Sequence, residues 1–87
     1  MNDFIHQNLS QGRWFKLTLT EQLGNVGSEV GRAANWQKQG NTASRDKALE
    51  RAFDLLDMTI SDPRWKNRLK EITRSRAVLA DLFYGKN

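Results

Sequence analysis

From Thr18 onward, apolar residues recur every three or four positions, and the chain divides into three stretches that keep this period. In 18–39, Leu19, Leu23, Val26, Val30 and Ala33 share one stripe. In 44–60, Ala48, Leu49, Ala52, Phe53, Leu55, Leu56 and Ile60 form a broad apolar face. In 63–84, Trp65, Leu69, Ile72, Leu79 and Phe83 share a face that Val78 and Leu82 widen. The pattern predicts a helix over each stretch. Residues 1–17 hold Phe4, Ile5, Leu9, Trp14, Phe15 and Leu17 with no clean period, interrupted by Gly12. They read as an N-terminal arm or a short fourth helix whose rings pack on the rest, with attachment to another chain as the alternative.

The punctuation agrees. Thr18-Leu19-Thr20-Glu21 fits a capping box, with Thr18 accepting from the backbone of Glu21 and Glu21 reaching back. Gly40 and Gly85 suit helix stops. Asp62-Pro63 places an N-cap residue before a proline at the first helical position, so the second helix must end before it. So short a connection makes neighbouring helices antiparallel. The expected fold is all-α: an antiparallel bundle of three main helices over 18–87 as a single domain, preceded by the arm 1–17.

Beside the apolar stripe of the first helix runs one almost free of side chains: Gly24, Gly27, Gly31 and Ala34. Each glycine inside a helix costs about 1 kcal/mol relative to alanine, so the row calls for compensation by a close neighbour. That neighbour is either the chain's own helices or arm, or another subunit. The second possibility makes Gly24, Gly27, Gly31 and Ala34 interface residues, with Trp36 on the opposite flank and Trp14 in the arm as aromatic anchors. Arg76 lies within the apolar stripe of the third helix and must either be paired or reach out to water. Glu29 at the edge of the first helix is the expected partner for a structural ion pair, with Asp46 and Asp57 as alternatives.

With 87 residues and no cysteine, the core is small and has no disulfide support, which favours oligomerisation. A net charge of +4 permits an acidic partner. Lys66, Lys70 and Arg74 align on one side of the third helix and could contact phosphates, although Glu71 and Asp81 interrupt the row and no aromatic series offers stacking. Chemistry is poorly supported. His6 is the sole histidine, the glycines lie within a helix and not in a phosphate-binding loop, and Asp46, Glu50, Asp54 and Asp57 better balance cations than hold a metal. No catalytic residue, cofactor, metal or small-molecule substrate is expected. The N-terminus lacks the pattern of a signal peptide and no apolar run reaches the roughly 20 residues of a membrane span, so the expectation is a cytoplasmic protein without membrane association.

The blocks WFKLTLTEQLGNVGSEV, ALERAFDLLDMTISDP and RLKEITRSRAVLADLFYG resemble a group of small bacterial all-helical proteins of unknown function. The resemblance runs from about Trp14 onward and implies an all-helical fold and a bacterial or phage-related origin, with no activity or site residue to carry over. It also implies that this chain is a shortened form. The expected function is a non-enzymatic interaction or assembly module, a homo-oligomer or part of a larger complex. The alternative is a small basic RNA- or DNA-binding accessory protein.

Overall fold

The structure is a computed structural model that describes residues 12–85. A 3-10 turn at Trp14–Lys16 leads into α1 (Leu19–Lys38), α2 (Thr42–Ile60), a 3-10 segment at Pro63–Arg68 and α3 (Leu69–Tyr84). The fold is all-α, and no strand occurs among the described residues. The parts of the arm that carry Phe4, Ile5, His6 and Leu9 lie outside the described residues.

Local chemistry sets the element ends. Thr18 and Glu21 close the capping box, with Glu21 N–H donating to Thr18 Oγ1 at 3.1 Å and Thr18 N–H to Glu21 Oε1 at 2.9 Å. Gly40, at φ +75°, ends the α1 turn in the left-handed region where glycine carries no penalty. The second helix begins earlier than its apolar pattern, at Thr42, because Asn41 Oδ1 accepts from Ser44 N–H and so draws Thr42 and Ala43 into the first turn. Gly85 does not adopt a left-handed conformation: its φ is −71°, and a Cβ there would meet the Asp81 carbonyl oxygen. Space, not handedness, explains glycine at that position.

The third predicted helix is the largest departure. Pro63–Arg68 winds as 3-10 turns broken at Trp65, whose φ/ψ of −105°/19° is not helical. The α-helical part of the stretch therefore starts at Leu69 instead of Pro63. The break leaves the Trp65 indole half-buried with its Nε1–H donating to Gln22 on α1 at 2.9 Å.

α2 is the central helix. α1 packs along it closely, α3 packs on it less extensively, and α1 and α3 hardly touch one another. α1 and α2 pack closely, and Ala33 of α1 and Ala48 and Ala52 of α2 are all fully buried. Leu49, Leu55, Leu56, Ile72 and Leu79 complete the core around them. Each such aliphatic side chain contributes about 1.5–3 kcal/mol by leaving water. The molecule is consequently flat, 37 × 31 × 15 Å, about two helices deep in its thin direction.

Candidate interaction face

The orientation of α1 decides what this protein presents to solvent. Its buried residues are Gln22, Val26, Glu29 and Ala33, at the spacing of one helical face. This face is rotated away from the continuous apolar stripe. Gln22 and Glu29 turn inward, while Leu23 is 38% exposed and Val30 only half-buried.

Both inward polar residues are satisfied. Gln22 Nε2 donates to the Trp14 carbonyl at 2.9 Å and to Asp62 Oδ2 at 3.2 Å, and its Oε1 accepts from Trp65. Asp62, almost wholly buried, caps the following turn by accepting from Arg64 N–H at 3.0 Å, and it pairs with the Arg64 guanidinium at 2.7 Å. Arg64 also donates to the Leu17 carbonyl at 2.7 Å. One polar knot thereby ties the arm, the start of α1 and the α2–α3 connection together. Trp14 is fully enclosed, and its Nε1 finds no acceptor among the described residues.

The Arg64 guanidinium, together with N–H donors from Arg64 and Gln22, outweighs burial and holds the Asp62 carboxyl at about 2, below its ordinary 3.8. A carboxyl lowered on folding contributes stability that is complete above its unfolded value and vanishes as pH falls through the folded one. Unfolding free energy should therefore fall by about 1–2 kcal/mol between pH 5 and pH 2 on account of Asp62, a range reduced because Arg64 remains partly in water. Asp62→Asn should remove that part of the slope in denaturant titrations run across this range.

Glu29 accepts from Arg51 of α2 at 3.1 Å and from Arg32 at 3.0 Å. The expected Glu29–Arg76 pair does not form, because α1 and α3 stand too far apart. Arg76 instead meets Asp57 of α2 at 2.9 Å and lies 4.8 Å over the Phe53 ring. With both partners half in water, the Arg76–Asp57 pair is worth at most about 1 kcal/mol. Asp46, the other alternative, pairs with Arg45 at 2.8 Å.

The rotation of α1 opens a groove between α1 and α3. It holds about 510 Å³ and is walled by Leu23, Val26 and Val30 on one side and Val78, Leu79 and Leu82 on the other. Val78 is 51% exposed and Leu82 72%. A second hollow continues from it over Gly31 and Ala34 toward Leu82 and Phe83. Gly24, Gly27 and Gly31 are exposed, and a Cβ added to any of them would meet nothing within 4 Å. The possibility that these glycines admit the chain's own helices is thus not realised among the described residues: the alanines serve the α1–α2 contact. Leu23, Val30, Val78 and Leu82 of the groove and Gly31 and Ala34 of the hollow adjoin through Val30 and Leu82, while Gly24 and Gly27 line neither.

Two expected interface residues do not join that surface. Trp14 is inside the polar knot, so it is no exposed anchor, and Trp36 is half-buried on the flank of α1 away from the glycines. Gln22 and Asp62 were not apparent as organising residues from the apolar pattern. The signal for Gln22 was its place in the line 22, 26, 29, 33, which keeps helical spacing and ends on Ala33, the small residue a close crossing requires.

Lys66, Lys70 and Arg74 are exposed and have no ion-pair partner among the described residues. No group of three or more His, Cys, Asp or Glu suited to a metal occurs among the described residues. Among them, too, no helix is long and apolar enough to cross a membrane. No protein-family model, curated protein or solved structure matches the chain.

Proposed function

We propose that the protein is a non-enzymatic helical interaction module that assembles, with itself or within a larger complex, through the α1–α3 face. The observation that carries this is the largely apolar groove between α1 and α3, which nothing in the described chain covers, with Leu23, Val78 and Leu82 open to solvent and Gly31 in the adjoining hollow. Three glycines on an open helix face lower the stability of the isolated chain, and a partner backbone lying against them supplies the compensation. The half-open core of a domain this small gains the apolar cover it lacks in the same contact. The bacterial cytoplasm is the proposed setting, in keeping with the resemblance to small bacterial helical proteins.

Light scattering on the purified chain, with the 260/280 nm absorbance ratio recorded on the same peak, tests the proposal. The expected result is a mass above the 10.0 kDa of one chain, a protein-like ratio, and a reduced mass for Gly27→Leu. A stable single chain in which Gly27→Leu changes nothing contradicts it. A nucleic-acid-like ratio at low salt that disappears at high salt would favour the second reading, an RNA- or DNA-binding accessory protein. That reading is supported by the unpaired row Lys66, Lys70 and Arg74.

A further inference from the structure

We propose that the occupant of the α1–α3 face is a second copy of this chain, docked so that the two α3 helices run antiparallel about a two-fold axis beside Val78. The inference rests on the assembly reading above and adds the partner and its register. Its basis is charge. Arg74 and Asp81 lie two turns apart on the flank of α3 that also carries Val78 and Leu82, and both are exposed. Neither has an ion-pair partner among the described residues. Antiparallel pairing about an axis between Ala77 and Val78 places Arg74 of each copy opposite Asp81 of the other, so one face supplies both signs of two symmetric pairs. The same operation brings Val78 against its counterpart. It also carries Leu82 of each copy toward the other copy's groove, whose wall is Leu23 and Val26. A parallel arrangement would instead set Arg74 against Arg74 and Asp81 against Asp81. An unrelated protein of unknown charge has no reason to match this spacing, whereas a second copy matches it by symmetry.

Charge reversal tests the register, because the affected side chains are exposed and their replacement leaves the core intact. Sedimentation equilibrium should show Arg74→Asp and Asp81→Arg each weakening self-association at least about tenfold, since each variant faces like charges twice. The double variant Arg74→Asp/Asp81→Arg should return to within about threefold of the wild type, with the pairs restored in reversed sense. Lys47→Asp, on the exposed side of α2, changes the net charge as much as Arg74→Asp does and should leave association unaltered. Circular dichroism confirms folding of each variant. Self-association that ignores the single reversals, or that the double variant does not recover, overturns this register while assembly itself stands. A chain that stays single at every concentration overturns the second-copy assignment.

Discussion

Replacing Gly24, Gly27 and Gly31 together by alanine is expected to stabilise the isolated chain by about 3 kcal/mol while weakening its assembly. Each glycine lies within α1 away from its ends, and each added methyl enters open space. The change therefore removes unfolded-state freedom without a steric penalty, about 1 kcal/mol per site. For a domain of this size that corresponds to a rise in Tm of about 12–24 °C, read by thermal melts at concentrations low enough to keep single chains. At high concentration the same methyls stand where a partner backbone must approach, so sedimentation should show a weaker complex. Stability and association moving in opposite directions is the signature of a surface kept side-chain-free for contact. A stabilised variant that assembles as well as the wild type would leave the glycines without a role in the interface.

The second large effect is expected at the polar knot. Gln22→Ala removes three hydrogen bonds at a fully buried position and leaves the Trp65 indole N–H without its acceptor, while Asp62 Oδ2 keeps Arg64 and the Trp14 carbonyl keeps Leu17 N–H. Asp62→Ala removes an N-cap and the counter-charge of Arg64 together. Each should cost about 2–4 kcal/mol in chemical denaturation, combining unmet buried groups, a lost cap and a broken, partly buried ion pair. The two losses should be far from additive, because the residues bond one another. By contrast, Arg76→Met at the solvent-facing Asp57 pair should change stability by less than about 1 kcal/mol. A large stability gap between these two ion pairs follows from the burial of Asp62 and the cap it forms: Asp62 is 2% exposed, whereas the Asp57 side chain is 56% exposed.

The sequence disclosed the helices because period and punctuation act locally. The Thr18–Glu21 box, the left-handed Gly40 and the Asp62-Pro63 stop each depend on a few adjacent residues, and each appears as expected. What was not legible is the rotation of α1 about its own axis. Hydropathy ranks Leu23 above Gln22 for burial, yet Gln22 is inside because partners from the arm and from the distant α2–α3 connection satisfy its amide. That information is not contained in any window of the chain. The error in pairing Arg76 with Glu29 has the same origin, since it assumed a closed bundle in which α1 and α3 touch. The glycine row was visible in the sequence, but its open exposure follows only from that rotation and from the alanines that take the place of glycine at the α1–α2 crossing.

Hydroxyl-radical footprinting across a concentration series tests the central claim, that the α1–α3 face is where this chain associates. Oxidation of Leu23, Val78 and Leu82 should fall together as the concentration passes through the association range, while Phe15, exposed at the opposite end of the sequence's described part, should react as before. Reactivity of Leu23, Val78 and Leu82 that stays constant while the mass of the complex grows would place the contact elsewhere and contradict the account.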